Sequence, residues 1–230
     1  VCIREVHFHF DDGVVVEPDN QIVSIATDGS FEIRELVVGA DFYAFPRPSP
    51  DGEFLAWVQW IHPSMPWYGT ELWVGRLEDG DVTNAKKVEG GVDESILQPE
   101  WSHDTNLFFL SDRSGWSNLY RFSPEGSVLE YGGDFDIAGP LWALGQSRYV
   151  ITDAEEIFLA ARNTQGDLLI SKTLDTVVHS SATIHTVRCS SSGSPIILAS
   201  THQSGPTIIQ AAPQKEIIHH PKSHELHEEF

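Results

Sequence analysis

Two stretches of the chain repeat the same pattern. Pro46–Trp57 reads PRPSPDGEFLAW and Pro99–Leu110 reads PEWSHDTNLFFL, so proline, serine, aspartate and an apolar run recur at an offset of 53 residues. Each copy precedes a second strand-like run that ends before an acidic residue and a glycine, Asp79-Gly80 and Glu125-Gly126. Short strands and tight turns with a period of roughly 40–50 residues are typical of β-propeller blades.

The region before the first copy predicts part of a further blade. Cys2–His9 and Gln21–Thr27 are rich in strand-forming residues, and Asp28-Gly29 repeats the turn of an acidic residue and glycine. Residues 31–38 alternate apolar and polar side chains, a pattern that indicates an edge strand. Because the sequence begins inside a strand pattern, we expect it to enter the propeller partway through a blade.

The first copy also predicts its own hairpin. Ser49-Pro50-Asp51-Gly52 has the residues of a type I turn, with proline at the position where its fixed φ fits. The apolar run Phe54–Trp60 then predicts a strand that is buried on both faces. The next segment, His62–Gly69, contains two prolines and aromatic residues of an exposed type, so we expect a rigid loop at one rim of the propeller.

The repeat weakens after Gly126, although strand-like segments continue and no segment shows a sustained helical period. The predicted strands of a fourth blade are Leu141–Leu144, Tyr149–Thr152, Glu156–Ala161 and Asp167–Lys172, and those of a fifth are Thr183–Cys189, Pro195–Thr201 and Thr207–Ala211. The predicted fold is therefore all-β, a partial β-propeller of four-stranded blades with about four to five blades in this chain. We assign the blades to residues 1–218 and a linker or tail to residues 219–230.

Charge and cysteine content restrict the partners and the compartment. The formal net charge is -20, from 34 acidic and 14 basic residues, and such a surface repels nucleic acid and anionic membranes. No apolar run is long enough to span a bilayer. Cys2 and Cys189 are far apart, and we interpret them as free, buried thiols. Free thiols and a first segment without signal-peptide features predict a cytoplasmic location.

The sequence lacks the motif of a serine hydrolase and the histidine spacing of a metal site. No two glycines stand four residues apart, so the G-x-S-x-G elbow of a serine hydrolase is absent from these residues. Pro221 argues against a helix that would align the histidines of the last segment. The histidines considered as metal ligands are His7, His9, His219, His220, His224 and His227. We predict no catalytic residue, no metal site and no cofactor in this chain.

The segment Ser111–Trp116, SDRSGW, is the most promising polar cluster. In one interpretation Asp112 and Arg113 stabilise a turn between two strands of one blade, with Trp116 packed beneath it. In the other, Asp112 and Arg113 contact a substrate, as do Trp67 and Tyr68 of the predicted rim loop. The sequence leaves both interpretations open.

Two long motifs carry a resemblance to a known family. They are Ser49–Trp57 followed by His62–Val74, and Gln98–Ser102 followed by Leu110–Arg121. The chain resembles the β-propeller of prolyl oligopeptidase-family serine peptidases, most of all the acylaminoacyl-peptidase and dipeptidyl-peptidase-like branch. The similarity is strong over about residues 20–122 and diffuse elsewhere.

The resemblance implies a function for the chain. In that family the propeller caps a C-terminal α/β-hydrolase domain, which carries the serine, aspartate and histidine, and restricts access to short peptides. The hydrolase domain is absent from this sequence, so no triad residue can be assigned and we expect the chain to be inactive alone. The expected partners are a hydrolase domain of the same parent protein and short peptides.

Two alternatives remain at this stage. A stand-alone propeller could act as a protein-interaction scaffold, with the Pro63–Tyr68 loop as its aromatic anchor. A truncated copy could also have no independent role. A partial ring also exposes unpaired strand edges, and we expect the chain either to behave poorly as an isolated monomer or to self-associate through those edges.

Overall fold

The computed structural model describes residues 1–8, 16–212 and 216–219, in which the regular secondary structure is β-strand. No membrane-spanning helix is found in the described part of the chain. Sheet 1 contains β1 (Cys2–Val6), β2 (Asp19–Ile25) and β3 (Ile33–Val37). Sheet 2 contains β4 (Phe42–Pro48), β5 (Phe54–Trp60), β6 (Glu71–Glu78) and β7 (Asp81–Gly90). Sheet 3 contains β8 (Ile96–Trp101), β9 (Leu107–Ser111), β10 (Asn118–Arg121) and β11 (Val128–Tyr131).

Two further sheets follow in the second half of the chain. Sheet 4 contains β12 (Tyr149–Ile151), β13 (Ile157–Asn163), β14 (Gly166–Ser171) and β15 (Thr176–Ser181). Sheet 5 contains β16 (Thr183–Cys189), β17 (Pro195–Ser200), β18 (Thr207–Gln210) and β19 (Glu216–His219). In each sheet the strands pair antiparallel in chain order, which is the arrangement of a propeller blade. The prediction of a partial propeller with four-stranded blades is therefore confirmed.

The chain forms two compact units, Val1–Gln146 with sheets 1 to 3 and Ser147–Phe230 with sheets 4 and 5. In the first unit, both copies of the sequence repeat carry a β-bulge at the same position in the first strand of their sheet. Phe45 in β4 and Gln98 in β8 both have a positive φ, of 52° and 46°, and both interrupt the pairing with the next strand. Because such a bulge bends its strand, the two repeats share a backbone shape as well as a residue pattern.

Sheets 2 and 3 contact each other through side chains at equivalent positions of the two repeat copies. Arg47 Nε lies 3.0 Å from Glu100 Oε2, and the indole N–H of Trp101 donates to the Arg47 carbonyl at 2.9 Å. Between sheets 1 and 2, the core cluster consists of Ile22, Tyr43, Leu55 and Trp57. The apolar inner faces of successive sheets thus supply the main packing surface of this unit.

A hydroxyl side chain closes the hairpin between the first two strands of each four-stranded sheet. The Ser49 hydroxyl accepts the N–H of Phe54 at 2.9 Å, and the Ser49 N–H donates to the Phe54 carbonyl at 2.8 Å. Ser102, Thr152 and Ser190 make the equivalent pair of hydrogen bonds in sheets 3, 4 and 5. The predicted turn at Ser49 is confirmed, and the same local chemistry recurs where the sequence repeat is hard to see.

In the second unit, sheets 4 and 5 pack against each other through the cluster that includes Phe158, Leu169, Ile184 and Ile197. The same unit contains a buried carboxylate. Asp167 is 0% exposed, accepts the Ile184 N–H at 2.8 Å, and lies 2.7 Å from Arg162 Nε and 3.3 Å from an Arg148 nitrogen. Its charge is compensated by hydrogen bonds and by two guanidinium groups, as burial of a carboxylate requires.

Some predictions about individual segments are wrong. Leu141–Leu144 lies in a loop, and the fourth strand of sheet 4 is β15, which follows the predicted strands instead of preceding them. Trp116 is 40% exposed and does not pack beneath its turn. The cysteines are free, as predicted, but Cys2 is half-buried and Cys189 is exposed. His9 and residues 220–230 of the predicted tail lie outside the described residues, and His219 is the last residue of β19.

Candidate functional site

A pocket of about 180 Å³ opens in the first unit where the loops of sheets 2 and 3 meet. One part of its wall comes from the loop between β5 and β6, one from the turn between β9 and β10, and one from the segment after β11. The lining residues are Trp67, Ser95, Leu97, Asp112, Ser117, Asp136, Ala138, Gly139 and Pro140. Two of the four residues predicted to contact a substrate, Trp67 and Asp112, are therefore brought together.

The Asp112 carboxylate is fixed against the start of β8. Its Oδ1 accepts the Ser95 N–H at 2.8 Å, and the Ser95 hydroxyl donates to the Pro66 carbonyl at 2.7 Å. Burial raises the pKa of Asp112, and the nearby charges of Glu94 and Asp136 act in the same direction. The loops of two sheets are thus connected through one carboxylate and one serine at the pocket.

A second carboxylate, Asp136, faces the same pocket from the segment after β11. Its Oδ1 accepts the Ser117 N–H at 2.9 Å, and the buried Asn118 side chain donates to the carbonyls of Gly133 and Phe135 at 3.3 and 3.0 Å. These hydrogen bonds hold the segment beside the β9–β10 turn. Asp136 could not be predicted from the sequence, because nothing in its loop sequence relates it to Asp112, which lies 24 positions earlier.

Trp67 is the aromatic side chain that lines the pocket, and two further aromatic rings contact it. The Trp67 ring lies 4.7 Å from the Trp142 ring and 6.3 Å from the Tyr68 ring. Trp142 is 74% exposed and Tyr68 is 66% exposed, whereas Trp67 is half-buried. Tyr68 lies beside the pocket and does not line it. Trp142 belongs to the segment predicted as a strand, and its place in a loop explains why its indole can reach Trp67.

Arg113 points away from the pocket and forms an ion cluster with sheet 2 and the β7–β8 connection. One of its terminal nitrogens lies 2.7 Å from both Glu89 Oε2 and Glu94 Oε1, and its guanidinium lies 4.9 Å from the Tyr120 ring centre. Burial opposes the charge on Arg113, but the two carboxylates raise the pKa of its guanidinium above the usual value. These contacts fix the turn that carries Asp112, which is the structural role considered for this pair.

The pocket can accept hydrogen bonds through two carboxylates and can stack a flat or apolar group against an indole. The described residues include no group of three or more histidine, cysteine, aspartate or glutamate side chains arranged to hold a metal ion.

Comparisons with known proteins identify similar solved structures. A puromycin-hydrolyzing peptidase of Mycobacterium tuberculosis is 30% identical, with a TM-score of 0.82 over 95% of this chain and 36% of that chain. A puromycin hydrolase is 28% identical, with a TM-score of 0.74 over 84% of this chain and 31% of that chain. Prolyl oligopeptidase B of Galerina marginata, at 13% identity and a TM-score of 0.66, shares the fold over 95% of this chain and 32% of its own.

The chain thus spans about a third of the length of the structures that it matches. No protein-family model and no curated protein matches it. The resemblance to the β-propeller of prolyl oligopeptidase-family serine peptidases, predicted from the two motifs, is confirmed.

Proposed function

We propose that this chain, whose blades resemble those of prolyl oligopeptidase-family serine peptidases, is a non-catalytic propeller portion that controls access of short peptides to an α/β-hydrolase domain. The observation that carries the proposal is the 30% identity with a puromycin-hydrolyzing peptidase over 95% of this chain and 36% of that one. The remaining length of such a protein leaves room for a separate catalytic domain. The hydrolase domain of the same parent protein is the proposed partner.

The physical basis of the gate is exclusion by size. The blades of a propeller surround a central channel, and a narrow channel admits an extended peptide but not a folded domain. Such a filter needs no reactive side chain, which fits a chain without a G-x-S-x-G elbow. We place the parent protein in the cytoplasm, where the free Cys2 and Cys189 would stay reduced.

The pocket supplies the proposed peptide contacts. Trp67 and Asp112 line it directly, and the Tyr68 ring lies beside Trp67 at its margin. Arg113 is held by Glu89 and Glu94, so we propose that it acts on a substrate through the position of Asp112. In this proposal a passing peptide stacks against Trp67 while its polar groups meet the carboxylate.

The catalytic part of the proposal can be tested with a fluorophosphonate probe, which labels the nucleophile of active serine hydrolases. The probe is applied to the 230-residue chain and to the full-length product of its gene. We expect labelling of the longer product alone. Labelling of the isolated chain would contradict its non-catalytic role, and labelling of neither would contradict the serine peptidase assignment.

The gate itself requires a separate measurement on the full-length product. Rates of cleavage are compared for peptides of about five and about thirty residues that share one cleavage site, a range chosen to bracket the size of a single strand. We expect a clear preference for the short peptide and a lower kcat/KM for it in Trp67→Ala. Trp116→Ala is the matched control, because Trp116 is exposed on the neighbouring turn and does not line the pocket. Equal rates for both lengths would refute gating.

A second candidate function is a scaffold for protein interaction. The specific observation in its favour is the pair of exposed aromatic side chains, Tyr68 and Trp142, on either side of Trp67. Exposed aromatic groups of this kind are frequent anchors of protein interfaces. A protein partner that binds the full-length product and is lost in Tyr68→Ala, with unchanged peptide cleavage, would favour the scaffold.

A further inference from the structure

The pocket that Trp67 lines contains two carboxylates without a counter-charge. Asp112 follows β9 and Asp136 follows β11, and both side chains are half-buried. In each of them Oδ1 accepts one backbone N–H, from Ser95 at 2.8 Å and from Ser117 at 2.9 Å. Across the ranges that the structure describes, neither carboxylate forms an ion pair with a basic side chain. A single N–H group does not cancel a full negative charge, so the pocket keeps both charges.

Arg113, the basic residue beside Asp112 in the sequence, does not neutralise the pocket. One of its terminal nitrogens lies 2.7 Å from carboxylate oxygens of both Glu89 and Glu94. One guanidinium that serves two carboxylates leaves that cluster negative as well. Burial and the charges of Glu94 and Asp136 raise the pKa of Asp112, as expected for a carboxylate without a counter-charge.

The apolar part of the lining suits the stem of a long side chain. Trp67 is half-buried, and Leu97 and Ala138 are each 7% exposed. Lysine and arginine cover apolar surface with their methylene stems while the charged head reaches polar groups, and the face of an indole attracts a cation. An N-terminal ammonium has no such stem, and a neutral apolar side chain leaves the carboxylates without a partner. The lining therefore favours a lysine or arginine side chain over either of these groups.

We propose that this pocket binds a lysine or arginine side chain of a peptide, with the stem against Trp67 and the cationic head paired with Asp112 and Asp136. The inference rests on the proposed function, in which the pocket contacts peptides, and it adds the class of residue that the pocket selects. The net charge of -20 attracts any cation over a longer distance. Selection by the pocket therefore has to be separated from this general attraction.

The test compares two tripeptides that are acetylated and amidated at their ends. One is leucine-arginine-leucine, and in the other citrulline replaces arginine, which keeps the shape of the side chain and removes its charge. Binding to the 230-residue chain is measured by isothermal titration calorimetry. We expect the arginine peptide to bind at least about tenfold more tightly, because its head forms charge-assisted hydrogen bonds.

Salt separates the pocket from the general charge of the surface. The Debye length falls from roughly 10 Å at about 0.1 M salt to roughly 3 Å at about 1 M, and half-buried pairs are screened less than exposed ones. We expect the arginine peptide to keep a preference of at least about threefold over the citrulline peptide at the higher salt concentration. A preference that disappears there would assign the attraction to the surface charge and overturn the proposal.

Two matched variants locate the binding. Asp136→Asn keeps an oxygen that can accept the Ser117 N–H, and it should weaken binding of the arginine peptide about tenfold without changing that of the citrulline peptide. Asp134→Asn removes the same charge from an exposed residue that does not line the pocket, and it should change binding by less than about twofold. If Asp136→Asn does not fold, the two peptides and the two salt concentrations still decide on the unchanged chain.

Three further outcomes would overturn the proposal. The first is equal affinity for the arginine and citrulline peptides, or binding of neither. The second is an equal loss in Asp136→Asn and Asp134→Asn, which would indicate attraction by the overall charge. The third is tighter binding of an unacetylated citrulline peptide than of the blocked arginine peptide, which would show selection of an N-terminal ammonium. None of these measurements requires peptide cleavage or labelling by a fluorophosphonate, so failure here is distinguishable from failure of the proposed function.

Discussion

Replacing Asp167 by asparagine should lower the free energy of unfolding of the second unit by about 3 kcal/mol. Asp167 is 0% exposed and Arg148 is 12% exposed, so the charge that the carboxylate compensates is itself buried. Arg162 is 56% exposed, and its share of the interaction is screened by water. This loss is at the lower end of the range for breaking a buried ion pair, because asparagine keeps an oxygen that can still accept the Ile184 N–H.

The assay has to report on the correct unit. The seven tryptophans lie between residues 57 and 142, so intrinsic tryptophan fluorescence follows the first unit only. Hydrogen exchange of the amides in β13 and β14 measures the second unit directly. A loss of 3 kcal/mol corresponds to about a 150-fold decrease in protection, with tryptophan fluorescence unfolding unchanged.

Two further variants separate the buried charge from the exposed one. Arg162→Gln removes the exposed partner and should cost about 1 kcal/mol or less. The double variant Arg148→Met with Asp167→Asn removes the buried positive charge that Asp167→Asn leaves unpaired, while the asparagine oxygen still accepts the Ile184 N–H, so it should recover part of the protection lost in Asp167→Asn. Protection in Asp167→Asn that stays within about tenfold of the wild type would show instead that the buried charge contributes little to stability.

Three other predictions concern acid stability and the turns. Burial alone would raise the pKa of Asp167, but its hydrogen bond to Arg162 and the charge of Arg148 lower that pKa in the folded state. The carboxylate therefore contributes its full stabilisation above the unfolded-state pKa of about 3.9, and this stabilisation is lost as the pH falls through the lower pKa of the folded state. Hydrogen exchange of β14 across this range should show the loss, and protection that stays constant would contradict it. Ser49→Ala removes a buried acceptor and should cost about 1–2 kcal/mol in urea unfolding followed by fluorescence. Ser123→Ala is the control: Ser123 is half-buried, its hydrogen bond to Glu125 is exposed, and the substitution should change the unfolding free energy by less than about 0.5 kcal/mol. Equal effects of the two substitutions would contradict the role of the Ser49 turn. Gly90→Ala should destabilise the first unit by more than about 1 kcal/mol in the same assay, because Gly90 has a φ of +88° and an added methyl group would overlap the Thr70 carbonyl. An unchanged urea midpoint would show that the backbone relaxes at Gly90.

Much of the fold can be predicted from the sequence where burial and turn chemistry agree. β5 matches the predicted strand Phe54–Trp60, because an apolar run buried on both faces is bounded by a turn that its own residues favour. The outer strands are harder to identify. β7 and β15 are exposed over much of their length, so their residues need not alternate between apolar and polar side chains. Their position follows from pairing with β6 and β14, which is tertiary information.

The candidate site is only partly predictable for a similar reason. Trp67 and Asp112 stand out as an aromatic residue in a proline-rich loop and a charge in a tight turn. Asp136 and Trp142 come from the segment between sheets 3 and 4, and hydrogen bonds from Asn118 bring the first part of that segment to the pocket. An apolar stretch such as Leu141–Leu144 has the composition of a strand, and without knowledge of its neighbours its loop conformation cannot be inferred.

The contact between Arg47 and Glu100 has a consequence for how such a chain can be rearranged. The two residues occupy the same position in successive copies of the repeat, yet they carry opposite charges and meet at 3.0 Å. Exact duplication of either copy would place two like charges against each other at this junction. The blades of sheets 2 and 3 are therefore not interchangeable, because opposite charges at equivalent positions favour one order of the two, and a shuffled or consensus version would need this position redesigned at their junction.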